Sequence, residues 1–293
     1  MIEVINDTIH EAIAKVEDTI VEAKRVKNYE LEEPDYTAAL AIEFPRLING
    51  KKVFPNITFG GCFIHQSPMV TFHSPHNAKR CELGDLLVLI RKRTMDDIRY
   101  NAALVQLKKS NKNPIVLKDD GDLKQLYLYE KWPLFTMSST HLQYDVFPKA
   151  VIQGALYCII KRNPDMLYMA DPMSMMEFSG EMTLGRFIRD VIHWQTGRAI
   201  SDETHKDSDE WSRLIWDLIQ NVKNKVIHKG VFNRTNIGYD GHNKLSDDFL
   251  DFMLSLDEGI PTNEDMILDD DESGISILFI DIDDTEREGE QRR

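Results

Sequence analysis

Residues 81–109 have the sequence CELGDLLVLIRKRTMDDIRYNAALVQLKK, which predicts the two strands of a β-hairpin. Asp85 precedes an apolar run, Leu86–Ile90, that is typical of a buried strand. A polar loop over Arg91–Asn101 then connects this run to a second strand, Ala102–Lys108. The hairpin is therefore expected to form the centre of an α/β domain.

Three polar side chains are expected to meet at one end of this hairpin. Gln106 and Lys108 project from the same face of the second strand, because side chains two apart in a strand point the same way. Asp85 begins the strand that pairs with it. A carboxylate, an amide oxygen and an ammonium group in one place suit a divalent metal ion and a phosphate group.

Length and composition predict a soluble cytoplasmic protein. The 293 residues suffice for one large domain or two moderate ones, and no apolar run approaches the roughly 20 residues that cross a bilayer. The first residues, MIEVINDTIHEA, have neither the basic start nor the apolar core of a signal peptide. Cys62, Cys81 and Cys158 lack C-x-x-C spacing, which favours reduced thiols over a disulfide framework or a zinc site.

The net charge of −14 is confined to the C-terminal segment. Residues 246–293 contain 17 Asp and Glu but only 3 Lys and Arg, whereas the first 245 residues carry 32 of each. The body of the protein is therefore neutral, and its overall acidity does not exclude binding to nucleic acid.

The pattern along the chain suggests four regions. Residues 1–33 contain an N-terminal helix, residues 34–172 form an α/β core, residues 173–245 are helical, and residues 246–293 are an acidic segment with one strand, Ile275–Ile280. This strand is too apolar to remain in water, so it is expected to pair with a sheet edge or with a partner chain.

Two acids outside the hairpin are further candidates for the site. Glu43 lies in a predicted helix over Pro34–Phe44, which Pro45 is expected to end. Glu82 lies three residues before Asp85, which puts it on the opposite face of a regular strand unless the chain bends.

The element order resembles the core of the PD-(D/E)xK nuclease superfamily, which has the restriction-endonuclease-like fold. Asp85 matches the Asp of the motif, Gln106 its acidic position and Lys108 its lysine. Gln-x-Lys in place of Glu-x-Lys is similar to the Mrr-type branch of restriction enzymes. The resemblance covers about residues 34–132, and the hairpin also looks like bacterial proteins associated with phage defence.

The resemblance implies a mixed sheet flanked by helices, and it leaves the helical C-terminal region and the acidic tail unexplained. It also implies a nuclease that depends on Mg²⁺ or Mn²⁺, an endonuclease rather than an exonuclease, that acts on DNA in preference to RNA in antiviral defence. The implied catalytic residues are Asp85, Gln106, Lys108 and Glu43, and the implied metal ligands are Asp85, Gln106 and Glu82. Because Gln106 removes one negative charge from the motif, a further acid is needed, and Glu43 and Glu82 are both candidates, with Glu43 preferred.

A set of lysines and arginines near the hairpin is predicted to bind the phosphates of nucleic acid. This basic rim consists of Arg91, Lys92, Arg93, Lys108, Lys109 and Lys112.

An alternative interpretation is a non-catalytic binding or assembly subunit that keeps a nuclease-like fold. The missing second carboxylate of the motif and the acidic segment both favour it, and the segment also suggests a partner subunit or a homo-oligomer. If the segment instead covers the basic rim, removing the residues beyond Leu245 is expected to raise the affinity for nucleic acid at low salt.

Overall fold

A computed structural model describes residues 1–65, 67–73, 78–112, 115, 117, 119–149, 154–161, 166–177, 182–228, 245–255, 267–268 and 274–285. Within these residues the α-helices are α1 Ile2–Lys24, α2 Glu33–Ala38, α3 Phe44–Gly50, α4 Asp120–Lys131, α5 Leu184–Ile192, α6 Glu210–His228 and α7 Leu245–Ser255. The strands are β1 Ile57–Ile64, β2 Met69–His73, β3 Ala78–Glu82, β4 Leu86–Arg93, β5 Ile98–Lys109, β6 Phe135–Met137, β7 Gln143–Tyr144, β8 Ala155–Lys161, β9 Met166–Ala170, β10 Arg198–Ile200, β11 Ile267–Leu268 and β12 Ser276–Asp283.

The main sheet is mixed and has helices on both faces, which confirms the α/β class. Its strands follow the order β11-β1-β12-β4-β5-β8-β9, and β10 pairs with residues 100–102 near the start of β5. β4 and β5 are antiparallel, whereas β5 and β8 are parallel and are connected through α4. Parallel neighbours need such a crossover connection, because a tight turn can only join antiparallel strands.

Alternating side chains of β4 divide the interior into two apolar layers. Leu87 and Leu89 belong to the layer that contains α4, α6 and α7. Leu86, Val88 and Ile90 belong to the layer that contains α1, α2, α3 and α5. Because both faces of the strand are covered, the run is apolar at every position from Leu86 to Ile90 instead of alternating with polar residues.

The central hairpin is longer than the sequence pattern predicts. The strands run to Arg93 and resume at Ile98, so most of the predicted loop is paired strand. Only the turn over residues 94–97 connects them, and the Thr94 amide donates to the Asp97 carbonyl there. The charged residues Arg91, Lys92 and Arg93 are typical of a loop in the sequence. In the structure, acids in and directly after β12 neutralise their charges, so they can lie in a strand.

Strand β12 pairs on both sides, inside the main sheet. It is parallel to β4, with Ile277 opposite Leu87, and antiparallel to β1. The sequence predicts instead that this strand joins a sheet edge or a partner chain, and assigns residues 246–293 to a separate region. A strand that pairs on both sides buries its apolar side chains and uses both rows of its backbone hydrogen-bonding groups. At a sheet edge, one of these rows would remain unpaired.

Two consecutive glycines allow helices to approach β1 from both faces. A Cβ atom at Gly60 would lie 2.5 Å from the Met253 carbonyl oxygen of α7, and one at Gly61 would meet the Ala41 carbonyl oxygen. Both glycines are therefore sites where another backbone approaches closely, and the strand continues through them.

The helical segment that faces Gly61 does not end at Pro45, contrary to the prediction. A π-helical turn over Ala39–Glu43 leads directly into α3, and Pro45 occupies its first turn. Proline removes one donor from the hydrogen-bond ladder of a continuous helix, and the π-helical turn just before it is a place where the regular ladder is already interrupted. The N-terminal helix α1, which belongs to the predicted region 1–33, packs Ile5, Ile9 and Ile13 into the same layer.

A second, antiparallel sheet has the strand order β3-β2-β6-β7. It packs one face on the layer that contains α4 and α6. Among the helices that the structure describes, none combines the length and the apolar character needed to cross a membrane.

Candidate active site

Asp85 lies where β4 begins, directly opposite the part of β5 that carries Gln106. Its backbone amide donates to the Val105 carbonyl, which continues the hairpin ladder by one residue. One carboxylate oxygen accepts a hydrogen bond of 2.8 Å from the Leu107 amide, and the other accepts one of 2.8 Å from the Ser67 hydroxyl. These two bonds fix the carboxylate at the end of the hairpin.

The Asp85 carboxylate faces a cavity of about 100 Å³ that two other acids line. Glu33 enters from the first residue of α2, and Glu82 enters from the last residue of β3. Pro34, Thr37, Phe63, Ile64, His65 and Ser67 form the remaining walls. The Gly84 backbone between Glu82 and Asp85 interrupts the strand, so the two acids reach the same cavity although they are three residues apart.

The environment of this cavity makes the ionisation of Asp85 costly. Burial, with a smaller contribution from the Glu82 carboxylate, raises the pKa of Asp85 to about 7. Burial likewise raises the pKa of Glu33. A site that holds unfavourable negative charge in this way gains stability when a cation binds to it.

Gln106 and Lys108 both face α4, as their spacing in β5 predicts. The Gln106 side-chain oxygen accepts a hydrogen bond from the Gln125 amide, and the Lys108 ammonium lies 2.9 Å from a carboxylate oxygen of Asp122. Gln125 and Asp122 are three residues apart and share one face of the helix. The amide oxygen that the sequence offers as a metal ligand is thus already bonded within the protein.

Lys108 stays positively charged beside the acids. Burial lowers its pKa, but Glu33 and Asp122 outweigh that effect, so the pKa lies above its usual value. Its charge also interacts with Asp85. The raised pKa means that the lysine supplies positive charge at neutral pH.

Lys109 holds the segment that carries Glu33. Its ammonium donates to the Leu31 carbonyl at 2.6 Å and forms ion pairs with Glu30 and Glu32. Its backbone amide donates to the Glu33 carboxylate at 2.9 Å. This lysine, predicted to bind phosphate, is therefore occupied in joining α2 to the end of β5.

Glu43, the additional acid preferred from the sequence, lies elsewhere. Its carboxylate is 2.6 Å from Arg46 and 3.2 Å from Lys15 of α1, and it does not line the cavity. Glu82, the other candidate, does line it. The structure thus brings Glu33 and Glu82, but not Glu43, to Asp85.

Three members of the basic rim are far from Asp85. Arg91, Lys92 and Arg93 lie at the other end of β4, about 20 Å or more along the strand. They form ion pairs with acids in and directly after β12: Arg91 with Asp281 at 2.7 Å, and Lys92 with Asp284, the residue that follows the strand, at 2.9 Å. The acidic segment does neutralise these bases, but it does so as part of the sheet and away from the cavity. Lys112 is exposed.

Sequence reasoning missed Glu33 and Ser67. His65 lies in a histidine-rich stretch whose spacing suits no standard metal motif, so the sequence indicates plain hydrogen-bonding groups there. Glu33 carries a local signal, because an acid in the first turn before a proline is typical of a helix start. That signal does not show which strand the helix start faces. Gln66 and His76, which belong to the same histidine-rich stretch, lie outside the described residues.

Among the residues that the structure describes, no three His, Cys, Asp or Glu side chains are close enough to form a ready-made metal site. No family model matches the chain, and no curated protein or solved structure matches it at a significant level.

Proposed function

We propose that the protein is a nuclease that depends on Mg²⁺ or Mn²⁺ and cuts phosphodiester bonds within DNA in preference to RNA. The observation that carries this proposal is the gathering of Asp85, Glu33 and Glu82 at one cavity, with Lys108 beside them. Asp85 and Glu33 are held in a poorly solvated place, with the exposed Glu82 beside them, and their negative charge exceeds the positive charge of Lys108. A divalent metal ion would balance this excess.

The order of the elements supports the same conclusion. With other strands between some of them, α2, β1, β4, β5, α4 and β8 occur in the chain order expected of a restriction-endonuclease-like core, and β8 is parallel to β5. The chain departs from that pattern by inserting β12 between β1 and β4. The insertion changes the middle of the sheet, and β12 begins beside Asp85, where the Ser276 amide donates to the Asp85 carbonyl.

Oxygen donors of this type fit a hard divalent cation. Asp85 would anchor the ion, and the exposed Glu82 side chain can turn toward it while Glu33 stays held by the Lys109 amide. A bound Mg²⁺ would supply a hydroxide nucleophile from its water and polarise a phosphoryl oxygen. Lys108 would orient the attacking water or stabilise the negative charge that develops on the phosphate.

Loss of cleavage in two variants tests the site. We expect the purified protein to cut plasmid DNA in Mg²⁺ or Mn²⁺, and we expect Asp85→Ala and Lys108→Ala each to lower the rate by at least about 100-fold. Glu43→Gln serves as the control and should cut normally, because Glu43 does not line the cavity. Cleavage that survives both site replacements would exclude this assignment.

Metal affinity tests the ligand set separately from cleavage. We expect Glu33→Gln to weaken Mn²⁺ binding about tenfold or more, measured by calorimetry, while Glu43→Gln leaves it unchanged. Affinity should rise about tenfold per pH unit below pH 7 and level off above it, because the proton on Asp85 competes with the metal and its pKa is about 7. Equal affinities for the two variants would remove Glu33 from the site.

One observation favours a non-catalytic subunit as the second candidate. The Gln106 oxygen is bonded to Gln125 and Lys108 is paired with Asp122, so the motif residues satisfy one another without a ligand. A protein of this kind would bind nucleic acid or a partner but would not cut, and neither Mg²⁺ nor Mn²⁺ would bind at the cavity. Calorimetry with the unaltered protein therefore separates the two candidates.

A further inference from the structure

The second sheet has one buried face and one open face. Val70, Phe72, Phe135, Met137 and Tyr144 point inward and are buried. Most of the residues that alternate with them are polar and are half-buried or exposed, with Met69 at the start of β2 as an apolar, half-buried exception. This is the pattern of an antiparallel sheet with one solvated side.

Four outward residues form a single row across this sheet. Arg80 of β3 is opposite Thr71 of β2, Thr71 is opposite Thr136 of β6, and Thr136 is opposite Gln143 of β7. Neighbouring strands are about 4.8 Å apart, so the row extends for about 14 Å. All four side chains can donate hydrogen bonds.

The row begins beside the cavity of Asp85. Glu82 and Arg80 are two residues apart on β3 and share its outward face, about 7 Å apart along the strand. Ser67, which donates to Asp85, lies two residues before β2. A ligand that lies along the row therefore reaches the cavity without leaving the protein surface.

Arg80 provides the charge of this surface. Its side chain is exposed, and within the described residues it forms no ion pair. The nearby Lys79 and Lys124 are in contrast both paired with Asp120, so their charges are already balanced. An unpaired guanidinium beside two hydroxyl groups and an amide suits the oxygens of a phosphodiester.

We propose that the outward face of the second sheet binds the phosphate backbone of the nucleic acid substrate and leads it to Asp85. The proposal rests on the proposed nuclease function and adds the surface by which the substrate approaches. Contacts of this kind position a strand without reading its bases, so binding through the row should be independent of sequence.

The test separates binding from cleavage by using the Asp85→Ala variant as the parent. Its affinity for a labelled DNA duplex of about 20 base pairs is measured by fluorescence anisotropy across a salt series. Adding Arg80→Ala should weaken binding roughly three- to tenfold at 100 mM salt and lower the salt slope by about 0.9. With Asp85 intact, Arg80→Ala should raise KM and leave kcat unchanged.

Two further variants keep the experiment decisive. Arg99→Ala removes an exposed arginine at the far end of β5 and should change neither the affinity nor the salt slope. Thr136→Glu puts a negative charge in the middle of the row and should weaken binding at least as much as Arg80→Ala. Both Arg80 and Thr136 lie on the open face of the sheet, so the replacements leave the buried face intact.

The outcomes distinguish this proposal from the proposed function. If the Arg80→Ala and Arg99→Ala variants bind DNA equally well while Asp85→Ala abolishes cleavage, the proposed binding surface is wrong and the proposed nuclease function is retained. If the unaltered protein never cuts but its binding depends on Arg80, the surface stands as a binding face and the nuclease function is wrong. Absence of binding to both DNA and RNA at low salt would overturn the surface, and a protein partner would then be its better occupant.

Discussion

Replacing Asp281 by alanine is expected to lower the free energy of unfolding by about 3 kcal/mol. The Asp281 carboxylate is 3% exposed and pairs with Arg91, whose side chain is 4% exposed. It also accepts a hydrogen bond from Arg93, so one carboxylate balances two guanidinium groups. Its removal deprives the buried Arg91 of this carboxylate, and the Asp251 carboxylate, 2.5 Å from Arg91, is much more exposed.

Urea unfolding near pH 7.5 measures this effect. Asp97→Ala is the control, because Asp97 pairs with Arg99 at an exposed site and should contribute less than about 0.5 kcal/mol. Combining Arg91→Met with Asp281→Leu should recover much of the loss, since two apolar side chains leave no buried charge. An Asp281→Ala protein as stable as the Asp97→Ala protein would show that the buried pair does not hold β12 in the sheet.

Replacing Asp85 by asparagine is expected to stabilise the folded protein, and more so at high pH. The pKa of Asp85 is about 7 in the folded protein, against an ordinary value of 3.8. Between these values the folded state holds a proton that the unfolded state has released, so the stability of the natural protein falls as pH rises. The asparagine variant avoids this loss, and its advantage should grow by about 2 kcal/mol between pH 5 and pH 8.

Thermal unfolding in EDTA at pH 5, 6, 7 and 8 follows this advantage. Adding Mg²⁺ should then stabilise the natural protein at pH 8 but not the variant, because the metal binds only when Asp85 is ionised. A difference in Tm that stays constant from pH 5 to pH 8 would contradict the raised pKa. Under the proposed nuclease function the same replacement should abolish cleavage, and the acid that costs stability would then be the one that the proposed reaction requires.

The hairpin and the direction of its side chains could be predicted from the sequence because both are local properties. The apolar run that follows Asp85 predicts a buried strand. The spacing of two residues between Gln106 and Lys108 predicts that both side chains lie on the same face of the next strand. Tyr129 of helix α4 and Trp132, which follows it, are buried core residues.

What the sequence could not show are contacts between distant parts of the chain. Glu33 and Glu43 are both acids on the helical segment that leads to β1, and only the packing of α2 against β5 selects Glu33. Arg91 and Arg93 read as loop residues because their acidic partners lie in β12, about which nearby sequence carries no information. Removing the residues beyond Leu245 would accordingly delete a central strand, so that deletion cannot report on nucleic-acid affinity.

The position of β12 also determines when the sheet can close. Arg91 and Asp281 face each other across adjacent strands although 190 residues separate them. The β4–β5 hairpin needs only a short turn, so it can form soon after it is synthesised, whereas β1 and β4 then each present an unpaired edge. These two edges remain open until β12 leaves the ribosome, and during that interval the nascent chain is most exposed to aggregation and most dependent on chaperones.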